Sequence, residues 1–198
     1  MTKLLKSRTI IFVIILRKIY SFLIDSVQTF LMAAAVFLVI YIFLFRPFEV
    51  KGESMFPNFL NKEYVLTNLI SLRFSDPKLG EVIVFKSPTD PEKDYIKRII
   101  GSPGDTVEVR NGEIYVNNKL LDESPYLNSS VKTFGGAFLK ESVPVTVPEG
   151  KYFVMGDNRL YSSDSREWGF VTKEAVIGRS WLVYWPLSDV KIIKNPFK

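Results

Sequence analysis

Apolar and polar residues fall into two regimes along this chain. Residues 27–45, VQTFLMAAAVFLVIYIFLF, carry no charge, and their clearly polar members, Gln28 and Thr29, sit at one end. At about 1.5 Å per residue, a helix of this stretch covers roughly 29 Å, close to the hydrocarbon core of a bilayer. Arg46 and Pro47 stop the span. A shorter apolar patch, residues 10–16, ends at Arg17-Lys18 and predicts an interfacial amphipathic segment or a helix continuing the anchor. After Arg46 the period shortens. Residues 80–86 and 94–101 read as strands, the second closed by Ser102-Pro103-Gly104-Asp105. In residues 106–116 two alternating runs flank Asn111-Gly112, the favoured two-residue hairpin turn. Further strands are predicted at 143–147, 151–155 and 176–185. Residues 122–142 carry fewer strand signals and include Gly135-Gly136, which suggests a flexible loop or flap.

The pattern predicts a mostly β protein: a small antiparallel, sheet- or barrel-like domain (47–198) behind one N-terminal transmembrane helix (26–46), preceded by a basic or amphipathic segment (1–25). Lys3, Lys6, Arg8, Arg17 and Lys18 crowd the N-terminal side, where Asp25 is the one acid. By the positive-inside rule the N-terminus stays in the cytoplasm and the β domain is exported, which predicts a single-pass membrane protein; a bacterial plasma (inner) membrane is the favoured location, with a thylakoid or mitochondrial membrane as the alternative. These residues also supply most of the formal net charge of +5, so a nucleic-acid partner has little to rest on.

The chain of 198 residues contains no cysteine and no histidine. Disulfides, thiolate sites, Cys nucleophiles, Ser-His-Asp triads and nearly every familiar zinc site are thereby excluded. Neither a metal nor an organic cofactor is implied. A hydrolase of this composition needs Lys, Asp, Glu or an amine terminus as its base.

Three segments could carry chemistry. Ser54 lies in Lys51-Gly52-Glu53-Ser54-Met55-Phe56-Pro57, where Gly52 permits close backbone approach and Pro57 fixes the chain downstream. An ordinary loop serine would read the same way. In Tyr95-Ile96-Lys97-Arg98-Ile99-Ile100 the strand period puts Lys97 and Arg98 on opposite faces, each between apolar neighbours. One of the two is expected inside. A buried lysine is the better base, because desolvation lowers its pKa whereas arginine stays charged; a snorkelling surface lysine is the alternative. The third segment runs from Gly156-Asp157-Asn158-Arg159 to Ser162, Asp164 and Arg166. Asp157 could pair with Arg98, Asp164 with Arg166, and Ser162 could hydrogen-bond a neutral lysine.

Together, in this order behind one anchor, these blocks resemble the type I signal peptidase family in its compact, Gram-positive-like form. The resemblance implies that Ser54 attacks the scissile carbonyl, that neutral Lys97 takes its proton, and that the Ser54 backbone N–H holds the oxyanion. It implies that Ser162 orients Lys97, and that Asp157, Arg98, Asp164 and Arg166 are supporting ion pairs. Phe48, Val50, Met55, Tyr95 and Ile96 match positions lining pockets for small side chains at −1 and −3 of exported preproteins. Where some members place a serine, this chain has Gly52, so a second oxyanion donor would have to be backbone. Asn58 and Phe59 replace the usual Thr-Leu, and the large insertion of some relatives is absent between Asp105 and Gly156. Two other readings share features: a Ser/Lys processing peptidase of narrower clientele, of pilin or organelle type, and an anchored β domain that binds exported proteins without cutting them.

Overall fold

The alternating run around Asn111-Gly112 folds as the hairpin its residues specify. Thr106–Arg110 pairs antiparallel with Glu113–Val116, and Asn111 and Gly112 take φ values of 55° and 79°, the left-handed pair such a turn requires. The computed structural model of the chain describes residues 2–197. Its elements are α1 (Thr2–Leu44), β1 (Phe45–Glu49), β2 (Tyr64–Asn68), β3 (Val82–Lys86), β4 (Asp94–Gly101), β5 (Thr106–Arg110), β6 (Glu113–Val116), β7 (Lys119–Leu120), β8 (Val145–Thr146), β9 (Lys151–Met155), α2 (Ser165–Trp168), β10 (Val171–Thr172), β11 (Val176–Trp185) and β12 (Lys191–Ile192).

The chain divides into two units, residues 1–43 and 44–198. The first is helix α1. Within it, Val13–Val39 is long and apolar enough to cross a membrane, by length and composition. The helix runs without interruption through residues 10–16, so that patch continues the anchor helix, and it ends at Leu44. Arg46 and Pro47 then lie in a strand, β1. Pro47 is tolerated there because β1 is the edge of its sheet, paired on one side with β2.

The second unit is mostly antiparallel β. Eight strands form one sheet in the order β1-β2-β11-β3-β4-β9-β10, with β12 added to β11, and four form another in the order β7-β6-β5-β8. Strand β4 sits inside the larger sheet between β3 and β9, and its last five residues are buried. Its two faces meet different cores. Ile99 packs with Ile83, Phe85, Tyr152 and Val154. Ile100 packs with Val107, Val109, Ile114, Phe153 and Met155. A third cluster, with Val50, Met55, Phe59, Val65, Val82 and Val183, lies under the Ser54 segment.

Residues 122–142 contain no strand, but they are pinned rather than free. Leu139 is buried, Phe138 and Leu139 both donate their N–H to the Arg166 carbonyl at 2.8 and 3.0 Å, and Thr133 is buried beneath Arg159.

Candidate active site

The Ser54 segment is shaped by its own backbone. Val50 and Glu63 tie its ends, with Val50 N–H donating to the Glu63 carbonyl at 2.8 Å and Lys62 N–H to the Val50 carbonyl at 2.8 Å. Gly52 turns the chain at φ 91°, with nothing within 4 Å of where a side chain would stand. Met55 and Phe59 anchor the segment by burial in the core below. From the facing loop, Asn158 clamps it from outside. Its backbone N–H donates to the Ser54 carbonyl at 3.0 Å and its side-chain amide to the Glu53 carbonyl at 3.0 Å. Ser54 is thereby held by its neighbours on both sides.

Strand β4 brings Lys97 to it. In register with Ile83 of β3, Lys97 is 4% exposed. Its Nζ lies 2.7 Å from Ser54 Oγ and donates to the Ile96 carbonyl at 3.1 Å. Burial lowers its pKa to about 8, against the opposing pull of the Asp164 and Asp157 carboxylates. Neither carboxylate forms an ion pair with it, because each is held by an arginine. Arg98 Nε and Nη2 grip Asp157 at 2.8 and 2.7 Å, and Arg98 Nη1 donates to the Gly80 carbonyl at 2.9 Å. Arg166 Nε and Nη2 grip Asp164 at 2.8 Å each. Burial works to raise the Asp164 pKa, but Arg166, the Gly156 N–H and Ser162 outweigh it and hold the carboxyl below its ordinary value. A neutral Lys97 has a lone pair, so the 2.7 Å contact can equally be donated by the Ser54 hydroxyl. That is the arrangement of a nucleophile and its base.

Gly156 makes this arrangement possible. A β-carbon there would stand 2.2 Å from Ser162 Oγ and 2.3 Å from the Ser54 carbonyl oxygen. Glycine alone lets the loop carrying Asp157 and Asn158 lie against the Ser54 segment.

An open groove of about 200 Å³ runs past the pair, lined by Phe48, Val50, Lys51, Ser54, Tyr95, Ile96 and Lys97 among others.

A family profile described as signal peptidase, peptidase S26, matches residues 23–185, most of the chain. The chain belongs to that family. As an S26 peptidase it is a serine protease, and its likeness to individual members agrees. It is 37% identical over 177 residues to signal peptidase IB of Staphylococcus aureus (strain MRSA252), covering 82% of this chain and 91% of that one. It is 38% identical over 178 residues to signal peptidase I of Bacillus amyloliquefaciens, covering 88% and 94%. A crystal structure of a signal peptidase I from Enterococcus faecalis V583 matches 53% of this chain and 97% of its own, at 33% identity and a TM-score of 0.44.

In this S26 peptidase the sequence-predicted residues mostly converge, with four differences. Met55 lies in the core beneath the groove rather than on its wall. The Gly52 N–H donates to Asn61 Oδ1 at 3.0 Å, so it is not free to bind an oxyanion. Among the described residues, no acceptor takes the Ser54 backbone N–H. Ser162 Oγ is buried without a partner at full hydrogen-bonding geometry, so its lysine-orienting role has no hydrogen bond behind it; Lys97 is fixed instead by Ile96 and Ser54. Finally, Lys97 and Arg98 are both buried, where one was expected, because β4 has core on both faces.

Sequence reasoning missed three supports. Asn58 donates to Asp157 Oδ2 at 2.9 Å and to the Tyr126 carbonyl at 2.8 Å, joining the Arg98 network rather than a pocket wall. Arg159 is buried, donates to the Gly156 carbonyl at 3.0 Å, and pairs with Glu123 of the 122–142 segment. Burial opposes the Arg159 charge, but the Glu123 carboxylate prevails and keeps it firmly protonated. Tyr126 covers the far side, its ring 4.2 Å from the Arg98 guanidinium. The polar density of residues 156–159 was the one available signal for these contacts.

Proposed function

We propose that this signal peptidase-family protease uses Ser54 and Lys97 as a dyad to cut signal peptides from exported preproteins after small residues at −3 and −1. The observation that carries the proposal is the 2.7 Å contact between Ser54 Oγ and a lysine whose burial brings its pKa to about 8. Ser54 Oγ attacks the scissile carbonyl while Lys97 Nζ takes the hydroxyl proton. The tetrahedral oxyanion lies against the Ser54 backbone N–H. On collapse, the C–N bond breaks, Lys97 returns its proton to the leaving amine, and the signal peptide remains as an ester on Ser54. Water then attacks the ester, Lys97 again accepting a proton, and the peptide leaves as a carboxylic acid with Ser54 restored. Arg98–Asp157 and Arg166–Asp164 hold the two carboxylates away from Lys97. Phe48, Val50, Tyr95 and Ile96 receive the residues before the cut as an extended strand.

The uncharged part of α1, after Asp25, is of bilayer length and anchors the enzyme, with the basic N-terminal residues in the cytoplasm and the β unit on the extracytoplasmic side of the plasma membrane. The anchor keeps the dyad near the membrane surface, where cleavage sites emerge.

The test is product sequencing. Preproteins carrying Ala-x-Ala should be cut directly after the second Ala. Replacing either Ala by a bulky or charged residue should abolish the cut. Cleavage indifferent to both positions would refute the specificity.

A further inference from the structure

A second cavity, of about 470 Å³, opens beside the Ser54 segment, and its wall includes Phe56, Pro57, Val131, Phe134 and Leu160. It is larger than the groove along Phe48, Tyr95 and Ile96, and the Ser/Lys mechanism gives it no role. Its rim is unusually apolar for solvent. Phe56 is 52% exposed, Phe134 58% and Leu160 67%. A contiguous exposed apolar patch of this kind marks a binding surface.

Its position says what it binds. Three segments build the candidate site, and in two of them the lining changes from one groove to the other across the nucleophile. In the first, Phe48 to Ser54 line the catalytic groove, whereas Phe56 and Pro57 line the second cavity. In the other, Ser163 lines the catalytic groove, whereas Asn158, Arg159 and Leu160 line the second cavity. Asn158 is the wall between them, since it hydrogen-bonds the Ser54 and Glu53 carbonyls. A peptide whose residues before the cut fill the first groove must leave past Ser54 on the other side. Two residues of chain span at most about 7 Å, so Phe56 brings the cavity within reach of the second or third extended residue after the cut.

We propose that this cavity binds the first residues of the mature protein and favours an apolar side chain among them. The inference rests on the signal peptidase reading above. The structure around the cavity suits such a role. Its far wall, Val131 and Phe134, belongs to the 122–142 segment, which the Glu123–Arg159 and Thr133–Arg159 contacts fix to the loop bearing Asn158. The cavity is therefore braced by the residues that hold the nucleophile, and a side chain seated in it fixes the scissile bond against Ser54. The enzyme then reads both sides of its cut: small residues before it, and apolar surface shortly after.

The full-length chain in detergent tests this in two arms. In the first, a photo-crosslinking residue is placed at −3, or at each of positions +2 to +5, of a preprotein bound to the Ser54→Ala protein. Labelling of Phe56, Phe134 or Leu160 from a downstream probe supports the proposal. Downstream labelling that avoids Phe56, Pro57 and the 127–134 and 156–160 segments overturns it. The −3 probe reports separately on the substrate reading: if it fails to label residues 48–51 or 95–97, that reading fails, and the downstream labels still decide whether the cavity takes peptide. In the second arm, kcat/KM is compared for preproteins with Leu or Asp at the labelled position. Wild type should prefer Leu by about tenfold, the scale of one buried apolar side chain. Leu160→Asp should compress that ratio to near unity. Equal kcat/KM for both preproteins in wild type, or an unchanged ratio in Leu160→Asp, would overturn it.

Discussion

A lysine near Asp157 and Asp164 would ordinarily hold its proton tightly. Lys97 does not, because it is buried and because Arg98 and Arg166 occupy those carboxylates. Its lowered pKa of about 8 fixes the sign of two predictions. In the proposed dyad Lys97 acts as a neutral base, so the single-turnover rate should rise about tenfold per pH unit below the Lys97 pKa and level off above it. A flat profile from about pH 5.5 to 9.5 would exclude a lysine base. Folding responds too. The unfolded lysine binds its proton more tightly than the folded one, so stability rises as pH climbs from about 8 to the ordinary 10.5. Replacing Lys97 by Met should therefore stabilise the protein at pH 7 by about 3 kcal/mol, a gain that fades across that interval in urea titrations. The sequence placed Ser54 and Lys97 in suggestive contexts but could not bring them together. It left open which cation of β4 is buried, because alternation treats the two faces alike when both face core. The contacts of Asn58 could not be read, since its partners Asp157 and Tyr126 are remote in the chain.

At the scale of elements, the site depends on one loop lying flat against another. Gly156→Ala should force the Ser54 carbonyl and Ser162 apart, lowering kcat by roughly a hundredfold while circular dichroism stays near wild type. An active Gly156→Ala enzyme would show that the contact is unimportant. Asp157→Ala leaves Arg98 buried without its partner and should cost about 3–5 kcal/mol in urea unfolding, more than any surface ion pair of this protein. The hairpin at Asn111-Gly112, β4, β9 and β11 were legible because turn residues bound them. Strand β1 was not. Its Phe45 belongs to an apolar run that reads as helix, and Pro47 argues against a strand until one knows that β1 is an edge. The 122–142 segment read as a flap because its anchors, Arg159 and Arg166, lie outside it.

For the whole molecule, the division at residues 43 and 44 separates an apolar helix from a β unit with its own cores. The fragment beginning at Leu44 should fold and cut short peptides at a rate close to the full chain. It should lose at least about tenfold on preproteins embedded in vesicles, because on the proposed reading the helix anchors the enzyme and supplies effective concentration. Equal rates on vesicle substrates would remove that role from the helix. The central claim is that Ser54 and Lys97 act together, and the direct measurement is cleavage of an Ala-x-Ala preprotein by the full chain, by Ser54→Ala and by Lys97→Ala, with folding of each checked. The account predicts that wild type cuts after the second Ala and that both variants are silent while folded. A folded Lys97→Ala protein cutting at near-normal rate would contradict it.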